Sequence, residues 1–165
     1  MAERKIVTTA KDEAFLRKKS RPVEVFDDKL KELVADMYET MRKEDGCGLA
    51  AVQIGLLKRV AVVEAEGRTL ELINAEIVER EGEQTDYEGC LSIRGRNDMM
   101  VTRAKKVTVV TCDLKGKRKK VTVSGWLARA VQHEMDHWDG ILFIDRGFVP
   151  TPEQEERYGR ENGGR

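Results

Sequence analysis

Charge of either sign is not in excess in this 165-residue chain: 30 Lys and Arg balance 30 Asp and Glu. That balance excludes a strong general attraction to nucleic acid or to an anionic membrane surface. There is no apolar run long enough to span a bilayer. The start, Met1 to Glu13, has neither the apolar centre of a secretory signal nor an Arg/Ser-rich transit pattern. The expected compartment is therefore the cytoplasm, or an organelle matrix if a presequence has been removed. Cysteine is scarce and odd in number, with Cys47, Cys90 and Cys112 widely spaced. This fits a reducing compartment better than a disulfide framework. There is no internal repeat and no low-complexity linker. The length suits one domain with a real core, expected over residues 1–150, with a polar tail over 151–165. Histidine is as scarce as tryptophan: the chain has two.

Both histidines fall in one stretch, Gln132 to Gly140, which reads QHEMDHWDG. His133 and His137 are four residues apart, so a helix puts their imidazoles on one face, one turn apart. Glu134 reaches the same side. Two neutral imidazoles beside a carboxylate suit a divalent transition metal with a bound water, whose proton the Glu moves. The competing reading is a chance H-E-x-x-H on a charged surface helix. The apolar flanks Leu127, Ala128, Ala130, Val131 and 141–144 argue against it, since they predict a buried helix, where an unpaired Glu is costly.

Along the chain, Asp27 or Asp28 caps a predicted helix in which Leu30, Leu33, Val34, Met37, Tyr38 and Met41 recur at helical spacing. It ends near Asp45–Gly46. Next comes GCGLAAVQIG, where glycines allow close backbone approach. Its plain reading is a tight crossover with Gln53 tied to a main-chain group. Strands follow at 59–64 and 69–73 around a Glu66–Gly67 turn, at 75–80, and at 107–113 and 119–124 around Lys115–Gly116. The basic run Lys117 to Lys120 reads as a solvated turn, because no aromatic residues are interleaved to stack bases. Ser124 is expected to cap a helix from Gly125 to Trp138, which Gly140 ends. Residues 141–144 form a last apolar piece, and the tail a short helical turn that frays.

A catalytic site on H-E-x-x-H needs a third ligand. A third His six residues beyond His137 is ruled out, because Phe143 stands there. Glu156, the choice of a thermolysin-like site, lies in the polar tail with little core behind it. Cys90, in Tyr87 to Ile93 (YEGCLSI), is either a buried small hydrophobe or a thiolate that completes the site.

Three stretches occur in order: GCGLAAVQ, EGCLS and QHEMDH. Together they resemble the three signature motifs of peptide deformylases, over roughly Asp27 to Phe148. The resemblance implies an α+β fold, with antiparallel strands packed around a central helix that carries the His pair, and an amphipathic helix before them. It implies that Cys90, His133 and His137 bind one divalent metal, ferrous iron first, with zinc, nickel or cobalt able to occupy the site. Metal-bound hydroxide would attack the formyl carbon of an N-formyl-methionyl polypeptide and release formate, with Glu134 as general base and acid. The Gln53 amide and the Leu91 N–H would form the oxyanion hole. Gly48 and Gly89 look like backbone positions that hold the extended substrate, with Cys47 beside them. Trp126, Arg129 and Ala130 would border the side-chain pocket; Arg129 equally fits an ion pair with Glu88 or Asp86.

This sequence departs from the family pattern at Arg94, where proline is usual, at Trp138 and at Cys47, and lacks a Pro-Asp-Pro-like start. None of these removes a catalytic group. The rivals are a metallopeptidase cutting internal bonds, which lacks a good third ligand here, and a metal-stabilised binding domain, which would need a fourth protein ligand. The expected partners are formylated nascent chains, with no membrane and no nucleic acid. A monomer is expected. The mixed-charge tail (Glu153, Glu155, Glu156, Arg157, Arg160, Arg165) reads as solvated, with ribosome contact the alternative.

Overall fold

The structure, a computed structural model, describes residues 2–163; Met1, Gly164 and the tail residue Arg165 lie outside the described residues. The first element, α1 (Thr9–Leu16), is absent from the sequence expectation. Its apolar spacing is poor, and Asp12 inside it has non-helical angles (φ −156°, ψ 72°). Buried Leu16 pins it to the body. The amphipathic helix forms as α2 (Asp28–Lys43), and the Asp27 carboxylate accepts from the Leu30 N–H at 3.1 Å. That bond satisfies one of the orphan donors of the first turn.

Strand β1 (Gly48–Ala50) leads into a 3₁₀ turn (Ala51–Ile54), then β2 (Val60–Ala65) and β3 (Arg68–Ile73). These three strands form one antiparallel sheet in the order β1-β2-β3. The β2–β3 turn holds Glu66 at φ 54° and Gly67 at φ 75°. Two positive φ values in a two-residue loop match the right-handed twist of the flanking strands. The side chains of β2 alternate between two cores: Val60 and Val62 face one, Ala61 and Val63 the other. Helix α2 covers the first face. Because both faces are covered, 60–63 reads as a continuous apolar run rather than an alternating one.

The remaining strands are β4 (Glu76–Glu81), β5 (Gln84–Tyr87), β6 (Met100–Arg103), β7 (Lys106–Cys112) and β8 (Arg118–Ser124). They make a sheet in the order β4-β7-β8 and a β5-β6 pair, all antiparallel.

The second face of the first sheet meets α3 (Gly125–Trp138), which carries both histidines. The fold is thus α+β, with antiparallel strands packed around a central helix. Ser124 stands at the N-cap position, but its side chain makes no capping bond, contrary to expectation. Gly125, at φ 62°, turns the chain into the helix there instead. At the other end Gly140 (φ 73°) donates to the His137 carbonyl at 3.1 Å, and Ile141 to the Asp136 carbonyl at 3.0 Å. That pair of bonds is a Schellman stop.

A short α4 (Phe143–Arg146) follows. The tail differs from expectation: Pro152–Glu161 is a ten-residue helix, α5. Thr151 Oγ1 accepts from the Gln154 N–H at 3.2 Å and Gln154 Oε1 from the Thr151 N–H at 2.9 Å, a reciprocal box with Pro152 just inside it. Asn162 Nδ2 anchors its end to the Thr85 carbonyl at 2.8 Å.

Candidate metal centre and active site

Helical spacing on α3 sets the rings of His133 and His137 with centroids 5.2 Å apart. Cys90 comes from the loop after β5, where the Ile93 N–H closes a tight turn onto the Cys90 carbonyl at 3.0 Å. This turn aims Sγ at the helix, 3.5 Å from His137 Nε2. One ligand atom from each of Cys90, His133 and His137 lies within 4.8 Å of the other two. A thiolate and two imidazoles at such spacing suit a borderline divalent cation of the iron, cobalt, nickel or zinc kind. Phe143 stacks on His133 at 6.1 Å between centroids, and Glu156 is paired with Arg160 at 2.8 Å on the surface of α5. Neither residue is in the cluster.

Behind His133 lies a buried carboxylate. Glu88 Oε1 is 2.8 Å from His133 Nδ1, which fixes the ring so that Nε2 faces the cluster. Arg103 grips Glu88 through two bonds of 2.9 Å, and Arg129 adds a third at 2.6 Å. Burial alone pushes the Glu88 carboxyl up, but hydrogen bonds and charge from Arg103 and His133 outweigh it and hold the pKa far below the usual carboxylate range. Arg103 also reaches Asp136 at 2.7 Å, and Arg146 holds that carboxylate at 2.6 Å. Helix α3 is thereby fastened to β6 and α4 by charge-assisted bonds.

Burial lowers the pKa of both imidazoles, but Glu134 and hydrogen bonds to Cys90 and Glu88 raise His133 well above its usual value. His137 is pushed well below, by burial and then by the charges of His133 and Arg103. His137 Nδ1 and Glu134 Oε1 are buried without a hydrogen-bond partner. Buried orphans are rare in folded proteins, and these two belong to neighbouring residues of one helix, beside Cys90 and His133. Glu134 Oε2 lies 3.9 Å from His133 Nε2, and burial raises the Glu134 pKa to about 7. Gln53 sits on the 3₁₀ turn. Its Oε1 accepts from the Ala50 N–H at 2.9 Å, the main-chain tie its isolation in sequence had pointed to. Its Nε2 donates to Ser92 Oγ at 3.1 Å and toward Cys90 Sγ at 3.6 Å.

A cavity of about 370 Å³ opens onto this cluster. Cys47, Gly48, Gln53, Gly89, Cys90, Leu91, Trp126, Arg129, Ala130, His133 and Glu134 all line it. His137 lies deeper, 1% exposed. Strand β1 is the outer strand of its sheet, and Gly48 at its start lines the cavity. Arg129 takes the ion-pair alternative: besides Glu88 it donates to the carbonyls of Val101 (2.9 Å) and Gln84 (3.1 Å). A larger groove of about 550 Å³ flanks another side of α3. Its charges neutralise one another through Arg59–Asp139 (2.8 Å) and Arg146–Asp136 (2.6 Å).

Sequence reasoning named Glu88 only as an ion-pair partner and missed its hold on His133. A carboxylate two residues from a suspected ligand was the available signal. Arg103 and Ser92 carried none: each is an ordinary polar residue whose partner is brought close by the fold.

The family model for polypeptide deformylase matches residues 4–153. The chain is 47% identical over 142 residues to the peptide deformylase of Dictyoglomus thermophilum, covering 86% of this chain and 92% of that protein. It is 50% identical over 149 residues to peptide deformylase 1 of Bacillus subtilis, covering 88% and 91%. Among solved structures, the peptide deformylase of Thermotoga maritima superposes with a TM-score of 0.84 at 35% identity, covering 88% of this chain and 98% of that one. That from Legionella pneumophila superposes with a TM-score of 0.82 at 38% identity, covering 99% of each.

Proposed function

The chain belongs to the polypeptide deformylase family of enzymes, and on that premise we propose that it hydrolyses the formamide bond of N-formyl-methionyl polypeptides, releasing formate and a free amino terminus. The observation that carries this reading is the Cys90–His133–His137 cluster at the cavity, with the Glu134 carboxylate orphaned beside it. The donor set fits the metal the family uses, because both imidazoles and the thiolate converge and Glu88 already orients one ring. We assign ferrous iron as the resident metal, with zinc, nickel or cobalt as substitutes the same donors accept. When bound, the cation supplies Lewis acidity toward water and the formyl oxygen.

The chain's own residues do the rest. Glu134, with a pKa raised to about 7 by burial, takes the proton of the attacking water and returns it to the departing nitrogen. The Gln53 amide and the Leu91 N–H donate to the oxyanion as it develops; one such donor is typically worth ~3 kcal/mol. Ser92 holds one N–H of the Gln53 amide, and the other, whose contact with Cys90 is long at 3.6 Å, is the one left to donate. The extended peptide lies between Gly48 and Gly89 along the outer edge of β1, past Cys47. Its methionine side chain rests against Trp126, Ala130 and the stem of Arg129, whose guanidinium is held by Glu88.

In this reading the protein acts as a single catalytic unit, a monomer in the cytoplasm. No helix among the described residues is long and apolar enough to cross a membrane. On α5, Arg157 pairs with Glu161 (3.3 Å) and Arg160 with Glu156 (2.8 Å), which supports a solvated surface over a ribosome-binding one.

The test is formate release from a formyl-Met peptide, with protein purified without oxygen, loaded with iron or nickel, and Glu134→Ala alongside. Fast release by the parent and near-silence from the variant is the expected result. Silence from a folded, metal-loaded parent would sink the reading.

A further inference from the structure

The wall of the active-site cavity that begins at Gly48, beside Glu134, runs back through Cys47 and Gly46 to Asp45. The next residue, Glu44, lines a second groove of about 540 Å³, and so does Arg94, three residues past the Leu91 that lines the first. The floor of this second groove is the N-terminal segment around Lys5, with Lys11 from α1. The two depressions are thus bordered by neighbouring stretches of the same two segments, which touch where the Leu91 side chain packs over Gly46.

That groove is positively charged although the whole chain is neutral. Arg4 and Glu3 also line it, but Arg4 is bound to buried Asp36 at 2.8 Å and Glu3 to Lys43 at 2.9 Å, so each is neutralised from outside. Inside, Lys5, Lys11 and Arg94 face the single carboxylate of Glu44. Lys5 and Lys11 make no ion pair among the described residues, and the Arg94–Glu44 contact is 3.6 Å long and solvent-exposed. An exposed pair of that length contributes little and exchanges readily for another carboxylate. Arg94 is also where this sequence departs from the family pattern.

We propose that this groove is a subsite for the downstream part of the polypeptide substrate and that it favours acidic side chains there; the inference rests on the deformylase reading above. From Gly48 back to Glu44 the protein chain is the turn that leaves α2, with Asp45 at φ 56°, whereas an extended substrate rises about 3.3 Å per residue. The side chains concerned are those of about the fourth and later residues of the substrate, beyond the reach of a tripeptide. Nucleic acid is the other polyanion that a basic groove attracts. It is disfavoured here because no aromatic side chain lines the groove to stack bases and Glu44 stands within it.

The test compares three formylated peptides on the metal-loaded enzyme: formyl-Met-Ala-Ser, and formyl-Met-Ala-Ala extended by either Glu-Glu-Glu-amide or Lys-Lys-Lys-amide. At low salt the acidic peptide is expected to have a kcat/KM about fivefold above the basic one, with the gap in KM and shrinking near 0.5 M salt. In the double variant Lys5→Glu/Lys11→Glu the preference is expected to vanish or reverse. The milder Lys5→Gln/Lys11→Gln variant is expected to reduce it, which keeps the test available if charge reversal impairs folding. Equal values for the two long peptides, or a preference that survives both double variants, would overturn the proposal. So would an intact peptide preference accompanied by lost binding of an RNA oligonucleotide, which would assign the groove to nucleic acid. Failure to turn over the tripeptide would bring down the deformylase reading and this one with it. Turnover of the tripeptide without any charge preference would bring down this one alone.

Discussion

Gly48 faces Glu134 so closely that a Cβ on Gly48 would lie 2.3 Å from Glu134 Oε2 and 2.9 Å from its Cδ. No real Cβ tolerates such contacts, and the Glu134 carboxylate is buried, so it has little room to retreat. The glycine is therefore the space in which the carboxylate stands. Gly48→Ala is expected to displace Glu134 by about 1 Å and lower kcat/KM about a hundredfold or more. The circular dichroism spectrum is expected to stay that of the parent. An alanine variant that deformylates at the parental rate would mean that the carboxylate is not needed where it stands.

Glu88 holds two guanidiniums and the His133 imidazole at once, and its removal is expected to be felt in two measurements. Glu88→Gln leaves the buried guanidinium of Arg129 without its ion-pair partner and Arg103 with Asp136 alone, a loss of about 3–5 kcal/mol when a buried pair is broken. The same change weakens the acceptor on His133 Nδ1, and outer partners of this kind are worth roughly 10–100-fold in metal affinity. Urea denaturation of the metal-free protein reads the first effect, and competition with a chelator the second. A variant that keeps its metal affinity while losing stability would make Glu88 a structural ion-pair partner only.

Much of this arrangement was legible in the sequence where its cause is local. His133 and His137 are brought together by helix geometry alone, and the Glu66–Gly67 turn by the residues that occupy it. Helix α2 announced itself because its apolar face repeats every three or four residues. Gln53 and Cys90 are different: they lie 37 residues apart, and only the packing of the 3₁₀ turn against the Cys90 loop sets them 3.6 Å from each other. Their roles came from resemblance, not from spacing. The Arg103–Glu88 pair was invisible because nothing in a β-strand arginine says which carboxylate it will meet. Helix α1 lacks an apolar period and breaks at Asp12. By contrast, α5 carried a readable start in Thr151, Pro152 and Gln154, but its lack of apolar residues outweighed that signal.

The N-terminal segment is fastened by one acid, and this gives a pH dependence with a definite sign. Asp36 accepts from Arg4 Nε (2.9 Å), Arg4 Nη2 (2.8 Å) and the Ala2 N–H (2.6 Å). Burial pushes its carboxyl up, but the hydrogen bonds and charge outweigh burial and set the folded pKa below the ordinary 3.8. A depressed carboxylate contributes stability that is fully present above the unfolded pKa and is lost as pH falls through the folded value. At pH 7 Asp36→Asn is expected to cost about 1–2 kcal/mol, reduced from the full value of a buried charged bond because Arg4 is partly exposed. Below about pH 4 the parent is expected to lose that advantage, so the two stability curves converge. Curves that stay parallel from pH 7 to 3 would show that Asp36 is not the group responsible.

The stop of α3 is as exacting as its ligands. Gly140 sits at φ 73°, and a Cβ there would come within 2.1 Å of the Arg17 carbonyl oxygen and 2.7 Å of its carbon. Both obstacles are backbone, and the Arg17 side chain is itself held by an ion pair with Asp145, so neither yields cheaply. Left-handed backbone costs a non-glycine residue about 1 kcal/mol, and the clash adds at least a cost typical of overpacking, about 1–3 kcal/mol. Gly140→Ala is therefore expected to lower unfolding free energy by about 2–4 kcal/mol, read as a shift of the urea midpoint at unchanged slope. The same residue donates to the His137 carbonyl at 3.1 Å. Any shift that relieves the clash drags on the turn of helix that carries His137, the proposed metal ligand, so metal affinity is expected to fall together with stability. Loss of stability with metal affinity intact would show that the helix stop and the metal centre are mechanically separate, and that the Arg103 and Arg146 bonds to Asp136 suffice to hold the last turn in place.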